Sequence, residues 1–157
     1  MINTILSDLS RVILNPKDKN YNGSLNGLYK DLLQKNTSFN FYNYFEFNED
    51  ILKFYESLKD KYSINLFTTS TIQNSTEVKE IIDQVFDNIF SAEDYGLDKT
   101  KSNAYRFIAD KLKISPDKIL YIDDQLENIE AARKAGLVGF HYEDYLKLRN
   151  QIEQYLG

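Results

Sequence analysis

The 157-residue sequence contains no cysteine and no tryptophan, and it has one methionine, one histidine, two prolines and six glycines. Without cysteine, disulfide bonds, thiolate nucleophiles and cysteine-based zinc sites are excluded. A single histidine likewise excludes a histidine-rich metal site. The absence of cysteine fits a reducing compartment, and the predicted localisation is cytoplasmic.

Long apolar runs are also missing, because none approaches the roughly 20 residues that a membrane-spanning helix needs. The start, Met1 to Thr4, lacks the basic residues of a signal peptide.

A net charge of −5 and scattered basic residues disfavour non-specific nucleic-acid binding. Hydrophobic residues at 42% and charged residues at 27% indicate a folded, soluble domain spanning residues 1–157, of unknown oligomeric state, with no nucleic-acid or membrane partner.

The most informative feature that is present is a pair of adjacent carboxylates, Asp123 and Asp124, directly after the apolar run 118–122. The following residues, 125–135, have the periodicity of an amphipathic helix, and Gly136 provides its C-terminal stop. Adjacent carboxylates repel each other, so their site is expected to hold a cation. In α/β sheets ligands bind at the carboxyl ends of parallel strands, where a divalent metal and an anionic substrate would meet.

Short apolar runs alternate with helical patterns along the chain, and this alternation predicts an α/β fold. Strands separated by helices require crossovers, so the five-stranded central sheet should be mostly parallel with helices on both faces. The predicted strands are 3–7, 64–67, 88–90, 118–122 and 138–141. The predicted helices are 51–58, 78–85 with Asn74 as the cap and Glu77 as its partner, 105–112, 125–135 and 143–155.

Residues 16–50 depart from the alternation and are predicted to form a small insertion or reduced cap. The segment begins with a turn-rich stretch, continues with a helix over 25–34 and ends with the aromatic stretch 39–47. Two interpretations remain open: the aromatic residues pack the insertion against the body, or the insertion shields a site at the end of the first strand. Lys17 and Lys19 are candidates for steering an anionic substrate.

Reactive side chains follow four of the predicted strands, although each one alone is typical of a helix cap or a solvated surface residue. They are Asp8 after the first strand, Thr68, Thr69 and Ser70 after the second, Lys99 after the third, and Asp123 and Asp124 after the fourth. Together they suit phosphoryl transfer. A carboxylate attacks phosphorus, a divalent cation screens the charges, and an ammonium with a hydroxyl holds the phosphoryl oxygens.

At these residues the chain resembles the haloacid dehalogenase superfamily, most of whose members are magnesium-dependent phosphatases with a Rossmann-like three-layer fold. The run 5–12 is similar to the first family motif, with Asp8 as its first Asp and Val12 as its last residue. Thr68 matches the second motif and Lys99 the third. The fourth motif is the most specific, because residues 123–128 are similar to the Asp-Asp-x-x-x-Asn form.

The resemblance implies a role for each matched position. Asp8 would be the nucleophile that forms an aspartyl phosphate, with Ser10, Thr68 and Lys99 completing the catalytic set. Thr68, Thr69 and Lys99 would bind the substrate phosphate. The implied Mg²⁺ ligands are Asp8, Asp123, Asp124 and the backbone carbonyl of Ser10. The implied substrate is a phosphorylated small molecule or a phosphoprotein, and the short interval between Asp8 and Thr68 indicates an open site.

One departure from the family pattern separates two hypotheses. Ser10 stands where the phosphatases carry a general acid and base, and Arg11 replaces the usual neighbouring glycine. Serine cannot serve as that acid or base at neutral pH. The first hypothesis is therefore a Mg²⁺-dependent phosphatase acting through Asp8, slowed or altered by Ser10. The alternative is a catalytically inactive module that kept the fold and binds phosphate or a partner.

Other classes are less consistent with the sequence. A response-regulator receiver has its acidic pair after the first strand, whereas here the pair follows the fourth. Neither a dinucleotide-binding glycine fingerprint nor a P-loop follows any strand. The dehalogenase branch works without Mg²⁺ and usually has an aromatic residue at position 10. His141 at the end of the last strand is a possible ligand, but a lone histidine is more often a packing or surface residue.

Overall fold

The computed structural model describes residues 1–35, 38–69 and 71–157. Its centre is a five-stranded parallel sheet, as the alternation predicts, with the strand order β5 (Asn88–Ser91), β4 (Ser63–Thr68), β1 (Thr4–Ser7), β6 (Ile119–Asp123) and β7 (Val138–His141). Placing the first strand in the middle brings the ends of β4 and β6 to either side of the end of β1.

Helices cover both faces of this sheet, because successive strand side chains point to opposite faces and both sets are apolar. Ile5 belongs to one buried cluster and Leu6 to the other. The first cluster includes side chains of α1 (Leu25–Lys35), α2 (Glu49–Leu58), α3 (Thr76–Val85) and α6 (Tyr145–Leu156). The second includes those of α4 (Ser102–Leu112) and α5 (Leu126–Ala135).

The predicted cap of α3 is wrong by one residue. Ser75, not Asn74, is the N-cap, and its Oγ accepts a hydrogen bond from the Val78 amide at 3.3 Å. Asn74 instead ends a short 3₁₀ helix, Thr71–Asn74. Both residue types are good caps, so the local sequence alone does not distinguish the two positions.

The segment 16–50, predicted as an insertion or reduced cap, contains α1, a 3₁₀ turn at Phe41–Asn43 and β3 (Phe45–Phe47). β3 pairs antiparallel with β2 (Leu14–Pro16) in a separate two-stranded sheet. Phe41 and Phe45 are buried and stacked, with ring centroids 4.7 Å apart. The interpretation that the aromatic residues pack the insertion against the body therefore holds for Phe41 and Phe45, which attach the segment to the core.

None of the helices in the described ranges is long and apolar enough to cross a membrane.

Candidate active site

The register of the sheet brings three strand ends together. Asp8 directly follows β1, and its amide donates a hydrogen bond to the carbonyl of Ile122 in β6 at 2.9 Å. Thr68 is the last residue of β4, and Asp123 is the last residue of β6. The carboxyl ends of the three neighbouring strands thus carry the side chains that the sequence predicts there.

Lys99 connects the end of β1 with the end of β6 through its contacts with Asp8 and Asp123. Its ammonium donates to Asp8 Oδ1 at 2.8 Å and to the Phe67 carbonyl at 2.9 Å, and it lies 3.2 Å from Asp123 Oδ2. The Lys99 side chain is 6% exposed. Burial lowers the pKa of Lys99, but the carboxylates of Asp8 and Asp123 outweigh burial, so the net shift is upward. Lys99 is therefore a permanent buried cation.

Both carboxylate oxygens of Asp123 are held by neighbouring groups. Its Oδ1 accepts from the Gln125 amide at 2.8 Å. Its Oδ2 accepts from the Asn128 side chain at 3.0 Å and from the Tyr121 hydroxyl, in addition to the Lys99 contact. Three of these contacts meet Oδ2 and one meets Oδ1, so Oδ1 keeps a further acceptor position. The contacts of Oδ2 orient Lys99 and the strand end, and the assignment of Asp123 as a metal ligand stays a prediction.

Aromatic rings surround the buried ammonium. Lys99 Nζ lies 5.1 Å from the ring centroid of Phe67 and 5.8 Å from that of Tyr121. The hydroxyl of Tyr105 donates to the Lys99 carbonyl at 2.7 Å. Burial raises the pKa of both tyrosines, so both remain neutral donors. These contacts fix the position of Lys99, and because the rings are neutral they leave the ammonium free to pair with the carboxylates.

The nucleophile candidate, Asp8, is held in an environment that disfavours its charge. Burial raises the pKa of Asp8 to about 7, and the carboxylates of Asp123 and Asp124 add to the increase while Lys99 opposes it. Asp124 is also raised in pKa, by burial and by Asp123. Within the described residues, hydrogen bonds and ion pairs involve Oδ1 of Asp8 and leave its Oδ2 available. A further cation at this edge would stabilise both ionised carboxylates.

Asp8, Asp123 and Asp124 form a compact acidic group. One carboxylate oxygen from each lies within 4.8 Å of the others, which is a suitable spacing for a shared cation. Asp124 is oriented from two sides, because Gln125 Nε2 donates to its Oδ2 at 2.9 Å and His141 Nε2 lies 2.8 Å from its carbonyl. His141 therefore contacts the backbone of the site. Because a carbonyl oxygen only accepts, this hydrogen bond requires the proton to be on Nε2 of His141.

The predicted hydroxyl residues are placed differently from one another. Thr68 is buried, and its Oγ1 has no hydrogen-bond partner in the described part of the chain. Thr69 is exposed and lines the cavity above the site. Ser70 lies outside the described residues. An orphaned buried hydroxyl costs free energy unless a ligand or water meets it, so Thr68 is consistent with the predicted contact to a phosphoryl oxygen.

Ser10 and Arg11 lie at the entrance to the site. Ser10 lines the cavity together with Asp8. Arg11 has a left-handed backbone, with φ at 63°, which is the conformation that explains a glycine at this position in the family. Its guanidinium donates to the carbonyls of Tyr21 at 3.0 Å and Gly23 at 2.8 Å. Arg11 thus ties the start of the insertion to the first motif.

A cavity of about 560 Å³ opens above these residues. On the side of the insertion it is lined by residues 22–27 and Lys30, not by the aromatic stretch 39–47 or the turn 17–20. The interpretation that the insertion shields the site therefore applies to residues 22–27 and Lys30 and not to those two segments, and steering by Lys17 and Lys19 stays a prediction. The polar face of α1, with Asn26 and Lys30 four residues apart, is the signal that would have identified the lining.

The family model of haloacid dehalogenase-like hydrolases matches residues 18–136. The chain belongs to this family of hydrolases, and the parallel sheet with helices on both faces is the corresponding α/β fold. Asp8 and Ser10 precede the matched range, so their alignment with the first motif rests on their position after β1 and on the contact between Asp8 and Lys99.

This chain matches only part of the length of two relatives whose names are known. A sesquiterpene phosphatase of Aspergillus oryzae is 32% identical over 73 residues, which are 46% of this chain and 37% of that protein. The bifunctional epoxide hydrolase 2 of Rattus norvegicus is 24% identical over 117 residues, 70% of this chain and 21% of that protein. The chain thus spans well under half of the length of either relative.

Among solved structures, a haloacid dehalogenase family enzyme of Bacteroides thetaiotaomicron, in complex with magnesium and inorganic phosphate, superimposes with a TM-score of 0.67. The match covers 94% of this chain and 99% of that chain at 13% identity. At this identity the similarity establishes the fold, and it extends over nearly the whole of both chains.

Proposed function

We propose that this hydrolase is a Mg²⁺-dependent phosphatase that cleaves a phosphate monoester through an aspartyl phosphate on Asp8. The observation that carries the proposal is the buried contact between Asp8 Oδ1 and Lys99 at 2.8 Å, which leaves Oδ2 of the same carboxylate available among the described residues. Lys99 holds the carboxylate in one orientation and offsets negative charge that an incoming phosphate brings.

In the first step a carboxylate oxygen of Asp8 forms a bond to phosphorus while the bond from phosphorus to the ester oxygen breaks. The leaving alcohol takes up a proton from solvent. In the second step water attacks the aspartyl phosphate, which releases inorganic phosphate and regenerates Asp8. Lys99 and Thr68 are the groups that would hold the phosphoryl oxygens in both steps.

The acidic group fits Mg²⁺, which prefers oxygen ligands and usually keeps several waters. Asp8 and Asp124 would hold the ion, with the Ser10 carbonyl as a further ligand and Asp123 nearby. The fit rests on the spacing of the carboxylate oxygens within 4.8 Å and on the raised pKa of both Asp8 and Asp124. When bound, the ion would supply charge screening between the nucleophile and the phosphate.

Ser10 is the specific observation that favours a second candidate function, a phosphate- or partner-binding module without turnover. Ser10 lines the cavity and stands at the position where the family phosphatases carry a carboxyl group that serves as acid and base. Turnover that lacks this group should be slow, and attack of water on the aspartyl phosphate should limit it.

Steady-state rates on para-nitrophenyl phosphate, with Mg²⁺ and with EDTA, test the proposal. We expect slow Mg²⁺-dependent turnover by the wild type and none by Asp8→Asn or Asp124→Asn. Ser10→Asp should raise the rate by roughly 10²- to 10⁴-fold, the usual contribution of a general acid and base. Ser102→Asp, in the first turn of α4 and outside the cavity lining, controls for the added charge.

One outcome would contradict the effect ascribed to Ser10, and another would contradict the phosphatase proposal itself. Fast wild-type turnover that Ser10→Asp slows would mean that another residue supplies the acid. Absence of turnover in both wild type and Ser10→Asp, with Mg²⁺ and inorganic phosphate still binding in calorimetry, would instead establish the binding module.

A further inference from the structure

The cavity above Asp8 is lined almost entirely by residues with polar or charged side chains and by two glycines. Among its lining residues in the described chain, Leu25 has the only apolar side chain, and Leu25 is 1% exposed because it packs in the core. The insertion contributes Asn22, Ser24 and Asn26 along with backbone at two glycines. An apolar group placed here would meet no cluster of apolar side chains and would strip water from polar atoms.

The first turn of α1 arranges these polar groups. Ser24 Oγ accepts from the Gly27 amide at 3.0 Å and begins the helix. Asn26 Oδ1 accepts from the Ile72 amide at 3.0 Å, which fixes the side chain and leaves its amide nitrogen as a donor. A side chain anchored in this way presents a donor in a defined direction.

Lys30 lies one turn further along the same face of α1 and also lines the cavity. It takes part in no ion pair among the described residues. The insertion therefore faces the acidic strand ends with hydrogen-bond donors and one available ammonium. The volume of about 560 Å³ is in the range of small-molecule sites.

We propose that the alcohol part of the substrate is a small hydroxylated group, as in a polyol or sugar phosphate, and that Lys30 is a specificity-determining residue that binds its oxygen atoms. This inference rests on the proposed phosphatase function, and it distinguishes this chain from its sesquiterpene phosphatase relative. Hydroxyl oxygens accept from Lys30 and Asn26, whereas an alkyl chain of the same size leaves these donors without partners.

The test compares ribose 5-phosphate with n-pentyl phosphate, which has the same number of carbon atoms and no hydroxyl groups on its chain. Ribose 5-phosphate should have a kcat/KM higher by about tenfold or more. Lys30→Met should lower this kcat/KM by about tenfold, mainly through KM, the size expected for a lost charged hydrogen bond. For n-pentyl phosphate the same variant should change kcat/KM by less than about twofold.

Lys35→Met, on the same helix and outside the cavity lining, is the matched control. It should leave kcat/KM unchanged for both ribose 5-phosphate and n-pentyl phosphate. Equal or better cleavage of n-pentyl phosphate, or an equal loss on both substrates in Lys30→Met, would overturn the inference. Calorimetry of Asp8→Asn with the two esters in Mg²⁺ gives the same comparison without turnover. If para-nitrophenyl phosphate turnover survives Asp8→Asn, the mechanism fails, and the affinities of the two esters still decide the question of substrate class.

Discussion

The strand-end region and the insertion form opposite walls of one cavity, and they are built on different physical principles. At the strand ends, Asp8, Lys99 and Asp123 are almost fully buried and joined by contacts of 2.8 and 3.2 Å. On the insertion side, Asn22 and Lys30 are exposed. The first wall has its geometry fixed by burial, whereas the second offers solvated polar groups on a helix.

This difference assigns the chemical step to the buried strand ends and substrate selectivity to the exposed insertion. Buried charges hold each other in place because each one alone would be costly, so a single substitution affects both stability and activity. Exposed donors contribute little to folding and act mainly when a ligand arrives. We therefore expect large, coupled effects from strand-end substitutions and smaller, separable effects from substitutions in the insertion.

The largest effect should come from Lys99→Met. It removes the cation between two buried carboxylates, and breaking such a group typically costs about 3 to 5 kcal/mol in the free energy of unfolding. Activity should fall by about 10²- to 10³-fold or more, because charge stabilisation at the phosphoryl group is lost. Urea denaturation and steady-state rates would measure both losses.

Lys101→Met, an exposed lysine two residues away, is the control and should have little effect. Mg²⁺ should reduce the destabilisation caused by Lys99→Met, because the bound ion would then offset the negative charge of the carboxylates in place of the lost ammonium. A Lys99→Met protein as stable and active as Lys101→Met would show that the strand-end group is not held together by charge.

The second effect concerns pH in the metal-free protein. Burial raises the pKa of Asp8 to about 7 in the folded state, well above its ordinary value of 3.8. The native state therefore binds a proton more strongly than the unfolded state, and the stability contribution of Asp8 is lost as pH rises through about 7. Between pH 5 and pH 8 this loss should be about 3 kcal/mol, and Asp8→Asn should abolish it.

Urea denaturation in EDTA at several pH values would measure this difference. Asp98→Asn is the control, because hydrogen bonds from Thr100 lower the pKa of Asp98 and keep it ionised throughout this range. Wild type and Asp8→Asn with parallel stability profiles from pH 5 to pH 8 would contradict the assignment of a raised pKa to Asp8.

The fold and the strand-end residues could be predicted from the sequence for the same reason. Apolar runs of strand length alternate with helical periodicity, and the parallel sheet that follows places Asp8, Thr68 and Asp123 at one edge. The contacts of Lys99 required tertiary structure to be seen, but the family resemblance identified the residue. What local sequence did not decide was the choice of Ser75 over its neighbour as the cap of α3.

The insertion was predicted less well, because its orientation depends on packing between distant segments. The turn at 17–20 and the aromatic stretch follow the first motif in sequence, yet Phe41 and Phe45 point into the core. The residues that line the cavity are brought there by α1, which is fastened by the hydrogen bond between Asn26 and Ile72. No sequence period indicates a contact of that kind.

The smallest effect, and the one that links the two walls, should come from Arg11→Gly. Arg11 has a φ of 63°, and for a residue other than glycine this conformation costs about 1 kcal/mol. Glycine removes that cost but also removes the guanidinium that donates to the carbonyls of Tyr21 and Gly23. The two contributions oppose each other, so the free energy of unfolding should change by less than about 1 kcal/mol.

Lys113→Gly separates the two contributions, because Lys113 has a φ of 57° at the end of α4 and its backbone makes the helix-ending contacts. It should stabilise the protein by about 1 kcal/mol. Hydrogen exchange should then differ between the variants: the amides of residues 21–27 should exchange faster in Arg11→Gly and at the wild-type rate in Lys113→Gly. If Arg11→Gly stabilised the protein as much as Lys113→Gly and left this exchange unchanged, the guanidinium would not be what ties the insertion to the first motif.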